Sequence, residues 1–180
     1  MTLYQRILLP IFALWFLLLS VHVLSADITR FEGTFAGATE FQSNGKTVKR
    51  DLSTTIEKSR SGFEVSWTSV TYRRDGSSKA KSYTIDFVPS ERENIYGSAM
   101  KTNLFGKAVP LDPLQGDPFV WARLEGDTLT VYSLFIDELG DYDMQEFHRT
   151  LVDEGLDLVF RRFSNGQLER EIKALLVRQN

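Results

Sequence analysis

Turn-forming dipeptides recur at short intervals through this chain: Asn44-Gly45, Ser61-Gly62, Asp75-Gly76, Gly126-Asp127, Gly140-Asp141, Glu154-Gly155 and Asn165-Gly166. Each supplies the backbone torsions that reverse a chain within two or three residues. Between them lie runs rich in Val, Ile, Thr, Phe, Tyr and Trp that alternate with polar residues. Such runs are strands with one face buried. Ten strands are predicted, near 29–41, 47–58, 63–73, 80–88, 94–101, 118–125, 128–136, 143–152, 156–163 and 167–177. No stretch keeps a helical period for three turns. The fold class is therefore all-β. An antiparallel up-and-down barrel of about ten strands suits so many sequential hairpins, and closure removes exposed edges. A two-sheet β-sandwich remains the alternative, because turn spacing alone does not separate them.

Hairpin register decides which side chains share a face, since a one-residue slip inverts a strand. At Gly126-Asp127 a two-residue loop places Val120, Ala122, Leu124, Leu129 and Val131 on one face. Trp121, Arg123, Thr130 and Tyr132 then fall on the other. At Ser164-Asn165-Gly166 a three-residue loop is preferred, because a two-residue loop sets leucines opposite glutamates. It pairs Phe160 with Arg170 and Leu158 with Ile172, and puts Leu168 on the inner face. The same form at Asp153-Glu154-Gly155 pairs His148 with Phe160 and Glu146 with Arg162. Earlier strands contribute the apolar rows Phe31/Phe35/Phe41, Phe63/Val65/Trp67 and Tyr83/Ile85/Phe87. One long irregular segment, Thr102 to Asp117, carries Leu104, Phe105, Val109, Leu111 and Leu114, and is expected to fold over the barrel as a lid.

The start of the chain is of a different kind. Arg6 is the only charged residue up to Ala26. An apolar run follows it from Ile7 to Leu19, with small residues at Ser25 and Ala26. That order is the pattern of a secretory signal, cut after Ala26 or after Ser25. An uncleaved anchor is the alternative, since Ile7 to Leu24 nearly reaches spanning length. The expected organisation is a signal peptide over 1–26 and a single barrel domain over 27–180, exported to a compartment such as the bacterial periplasm. After cleavage no stable membrane insertion is expected.

Composition narrows the chemistry. The chain of 180 residues has no cysteine, which excludes disulfides, thiol catalysis and thiolate metal sites. Its 21 basic and 24 acidic residues give a net charge of −3, with no general drive toward nucleic acid. No Gly-x-Ser-x-Gly elbow occurs, and His148 is the only histidine beyond His22. No catalytic residue, metal site or cofactor is assigned. Asp137, Glu138, Asp141 and Asp143 form an acidic loop without EF-hand spacing, read as solvated charge.

The first strand reads Phe31-Glu32-Gly33-Thr34-Phe35, and Arg178 ends the last. In this pairing the chain resembles the calycins, the lipocalins and fatty-acid-binding proteins. Lipocalins open on a Gly-x-Trp strand, with an Arg near the last strand packed over that Trp. Phe35 stands where the Trp would be, and Arg178 where the Arg would be. The resemblance is architectural. It implies a calycin-like barrel that carries or senses a small, largely apolar ligand.

The expected register gathers Glu146, His148, Arg162 and Arg170 on the inner face beside Phe160. Arg and His on an apolar wall can hold a carboxylate or phosphate, since Arg offers a bidentate fork. The same four residues can equally be paired with one another and wet at the barrel mouth. Trp67 and Tyr83 fall in inner rows, where they either stack on a ligand or fill the core. Trp121 and Tyr132 oppose each other on the outer face, as a cross-strand stabilising pair or a surface for a protein partner. The function expected is non-enzymatic binding of a small amphipathic or apolar ligand, with Glu146, His148, Arg162, Arg170, Phe160, Trp67 and Tyr83 at the site. The alternative is an envelope interaction or structural module with a filled barrel.

Overall fold

A computed structural model describes residues 27–43, 45–73, 75–98, 101–102, 108–109 and 112–180. The proposed signal segment over 1–26 lies outside them. So do Leu104, Phe105 and Leu111 of the expected lid.

Twelve strands follow one another: β1 (Gly33–Ser43), β2 (Lys46–Lys58), β3 (Phe63–Tyr72), β4 (Ser78–Pro89), β5 (Ile95–Ser98), β6 (Lys101–Thr102), β7 (Ala108–Val109), β8 (Phe119–Glu125), β9 (Thr128–Ile136), β10 (Tyr142–Val152), β11 (Gly155–Ser164) and β12 (Gln167–Arg178). Ten of them close into an antiparallel barrel in the order β1-β12-β11-β10-β9-β8-β5-β4-β3-β2. Apart from the step from β5 to β8 and the closing β1–β12 pair, neighbours in sequence are neighbours in the wall. The barrel, not the sandwich, is the architecture. β6 and β7 pair only with each other, in the segment expected to be irregular.

The start of the chain differs from expectation. Ile28–Phe31 is a 3-10 turn rather than strand. The Asp27 carboxylate accepts from the Thr29 amide and hydroxyl at 3.0 and 2.7 Å, which holds the backbone in a tight turn. Phe31 is thereby carried over the end of the barrel, where it is fully buried with Phe35, Ile56, Phe63 and Phe87. Arg178 lies over the Phe35 ring, its guanidinium carbon 4.5 Å from the centroid, and donates to the Glu32 carbonyl. The Phe35–Arg178 pairing read from the sequence is thus present, and it seals this end.

The barrel is packed solid at this end. Val120, Ala122, Leu124, Leu129, Val131, Leu156, Leu158, Ala174 and Leu176 complete the apolar plug behind Phe31. The β8–β9 hairpin has the expected register, with Trp121 opposite Tyr132 on the outer face.

Two hairpins depart from it. The β11–β12 turn has only two residues, Asn165 and Gly166, both with positive φ (47° and 79°). That is the twist a two-residue hairpin needs. Ser164 therefore pairs with Gln167, and Phe163 with Leu168. Glu169 is then skipped, so that Arg162 meets Arg170 and Phe160 meets Ile172. This bulge absorbs the one-residue slip that made a two-residue loop look incompatible with the leucine pattern. The inner row Leu158, Phe160, Ile172, Ala174 survives. Leu168, expected inside, points out and is 54% exposed.

The β10–β11 turn also has two residues, Asp153 and Glu154, with Val152 opposite Gly155. Gly155 adopts φ +154°, and a Cβ there would lie 2.2 Å from the Leu176 carbonyl oxygen. The glycine serves close approach of β11 to β12, not the three-residue loop. No bulge compensates here, so β10 is inverted relative to the expected register. Phe147 faces Phe160 and Arg149 faces Leu158 across the pair.

Candidate functional site

Beyond the plug the barrel opens into a cavity of about 450 Å³. That size falls in the ~300–1,000 Å³ range of small-molecule sites. It lies at the end where the β1–β2, β3–β4, β5–β8, β9–β10 and β11–β12 connections gather. The segment expected as a lid is one of these connections. Of it, Thr102, Ala108–Val109 and residues 112–117 are described, the last including the 3-10 turn Pro113–Gln115, with Leu114 80% exposed.

Aromatic rings form the floor and lower wall. Trp67 on β3 stacks on Tyr83 of β4 at 5.3 Å between centroids, and lies 5.4 Å from Phe147 on β10. Phe147 in turn lies 4.9 Å from Phe160 of β11. Strand alternation places all four inward, on the same face as Leu52, Leu158 and Ile172, with Tyr83 49% exposed where β4 has no β5 partner.

Arg149 sits among these rings. It is 1% exposed. Its guanidinium carbon is 5.6 Å from the Trp67 ring and 5.6 Å from the Phe147 ring. Nη1 makes a long contact of 3.4 Å to the Phe147 carbonyl, and Nε is buried with no partner. No carboxylate pairs with Arg149 among the described residues. Burial draws its pKa below the usual arginine range to about 10, so it remains a cation at neutral pH. An unpaired charge held out of water is costly, and such a group is normally matched by an opposite charge or a ligand.

Seven basic residues line the cavity, namely Arg50, Arg73, Lys79, Lys81, Arg149, Arg162 and Arg170, and among the described residues no acidic one does. In a chain of net charge −3 this is marked segregation. Among the described residues Arg162 alone is neutralised, 2.6 Å from Asp143 and 3.7 Å from Glu169. Arg50 and Arg170 both lie over the Phe41 ring, at 4.7 and 5.9 Å. The Arg50 Nε donates to the Thr71 hydroxyl at 3.0 Å. Burial, and then the charge of Arg170, lower the Arg50 pKa. Two like charges sharing one ring concentrate positive potential at the mouth.

Of the residues predicted from the sequence, Trp67, Tyr83, Phe160, Arg162 and Arg170 meet in this cavity. Glu146 and His148 do not. The inverted register of β10 turns both outward, where His148 Nε2 lies 2.9 Å from Glu146 and Nδ1 lies 3.1 Å from the Thr130 hydroxyl. His148 also meets the edge of Tyr132, which stacks on Trp121 at 4.9 Å. The expected Glu146–Arg162 pair is replaced by Asp143–Arg162, because Gln145 rather than Glu146 stands opposite Arg162.

Sequence reasoning missed Arg149, Phe147 and Arg50. A signal existed for the first two. The β8–β9 hairpin fixes Thr130 and Tyr132 as outward, and five residues (137–141) connect β9 to β10. With Ile136 opposite Tyr142, His148 must follow Thr130 outward and Arg149 must follow Leu129 inward. That loop closes on Asp137, whose carboxylate accepts from the Leu139 and Asp141 amides at 2.8 and 3.0 Å. The acidic loop is thus committed to its own backbone and, through Asp143, to Arg162.

No protein-family model matches the chain, and no curated protein matches it.

Proposed function

We propose that this protein is an exported, non-enzymatic carrier or sensor that holds a small amphipathic anion inside its barrel, acid group inward. The observation that carries the proposal is Arg149, a buried guanidinium without a counter-charge on the floor of a cavity lined by cations. A carboxylate or similar oxyanion would offer its missing partner through a charge-assisted, forked hydrogen bond. Trp67, Tyr83, Phe147, Phe160 and Leu158 would surround the apolar body of the ligand. The barrel packed solid at one end and the Phe35–Arg178 closure support a calycin-like carrier. Export rests on the Ile7–Leu19 run and the small residues at Ser25 and Ala26. Binding is favoured over catalysis because His148 stands on the outer wall, away from the cavity.

Titration of the purified protein, stripped of co-purified acids, tests this reading. Dodecanoate should bind measurably by calorimetry, and dodecanol at least about tenfold more weakly. Arg149→Met should abolish that preference. Equal affinity for acid and alcohol, or no binding of either, would contradict it.

A further inference from the structure

We infer that the natural occupant carries two anionic groups separated by an apolar body, so that a dianion with acidic ends is the ligand class. This rests on the reading of the cavity as an anion site. It is carried by a second, spatially separate set of unneutralised cations. Arg149 lies on the floor, beside Trp67. Arg50 and Arg170 lie at the mouth, on either side of Phe41, with no carboxylate partner among the described residues.

The strand register gives the spacing of the two backbone levels twice. On β2, Thr54 is opposite Trp67 at floor level and Arg50 is opposite Thr71 at the mouth. On β11, Leu158 is opposite Arg149, and Arg162 is opposite the mouth residue Arg170. Each step is four residues, roughly 13 Å at a rise of about 3.3 Å per residue. Between the two levels lie Leu52, Phe147, Phe160 and Ile172, which form an apolar belt. A monoacid would satisfy one level and leave the other solvated. A diacid whose length matches the belt engages both. The mouth arginines repel each other, so an anion between them gains from both charges at once.

Calorimetric titration with dodecanedioate, its monomethyl ester and dodecanoate tests the inference without relying on any variant. Dodecanedioate should bind at least about tenfold tighter than either comparison, in keeping with one added charge-assisted contact. The double substitution Arg50→Met, Arg170→Met should remove that advantage, bringing dodecanedioate to the affinity the same variant has for dodecanoate. If dodecanoate and the monoester bind as tightly as dodecanedioate, the two-anion inference fails while the single-anion reading stands. If none of the three binds, both fail.

Discussion

Replacing Arg149 by Met should make the empty protein more stable, not less. Met keeps most of the side-chain length between Trp67 and Phe147 and removes the charge. A guanidinium drawn by burial from its usual range down to about 10 carries a burial cost of roughly 3 kcal/mol, at about 1.4 kcal/mol per tenfold in proton affinity. Against this stand two ring contacts at 5.6 Å, worth about 0.5–1 kcal/mol each. The 3.4 Å contact to the Phe147 carbonyl is too long to add much. The net expectation is a gain of about 1–2 kcal/mol. For a chain of this size that raises the melting temperature by roughly 2–8 °C. The sign follows from linkage. The unfolded chain holds the Arg149 proton more tightly than the folded one, so the penalty is present in full at neutral pH. It shrinks only as pH rises through about 10. Urea unfolding at neutral pH, with and without dodecanoate, is the assay. Without ligand the variant should lead. With dodecanoate at about a hundred times the wild-type Kd, wild type should gain about 2.7 kcal/mol and a variant binding about tenfold more weakly about 1.4 kcal/mol, so the variant's lead should shrink by about 1.3 kcal/mol. A ligand-free variant less stable than wild type by more than about 1 kcal/mol would show that Arg149 is structural.

Further expectations concern other parts of the chain. Dodecanoate affinity should fall as salt is raised from low to physiological concentration, because the mouth cations are only partly buried; calorimetry across a salt series measures this, and an unchanged Kd would remove those cations from the site. Trp121→Phe leaves Trp67 as the only tryptophan in residues 27–180, so ligand should shift the remaining emission; a silent Trp67 would place the ligand elsewhere. Gly155→Ala should cost more than about 2 kcal/mol by urea unfolding, since the added Cβ meets the Leu176 carbonyl oxygen. Arg178→Met should destabilise by about 1–2 kcal/mol, through lost contact with Phe35 and the Glu32 carbonyl, while dodecanoate Kd is unchanged.

The sequence carries most of the wall and part of the site. Strand positions are legible because polar alternation and turn dipeptides are local signals. Closure of Phe35 against Arg178 is legible because it depends on residue type at the two chain ends of the barrel. Register is harder, because it depends on competition between local turn geometry and distant packing. At Asn165-Gly166 the tight turn wins and the Glu169 bulge restores the pattern, so Arg170 and Phe160 still reach the cavity. At Asp153-Glu154 no bulge intervenes, and the single-residue slip exchanges Glu146 and His148 for Phe147 and Arg149. A rule that keeps charge out of cores does not decide between the two registers here, since one places Glu146 and His148 inside and the other Arg149. The true one buries Phe147 and Leu151 and accepts one unpaired cation. That local conflict between pattern and burial is where functional sites concentrate.

Native mass spectrometry of the protein, purified gently from the cells that make it, tests most directly whether the barrel holds an acid against Arg149. The expected result is a reproducible added mass that is lost on denaturation, is recovered as an organic acid, and is missing from Arg149→Met. A bare chain, under conditions that preserve known carrier complexes, would contradict it.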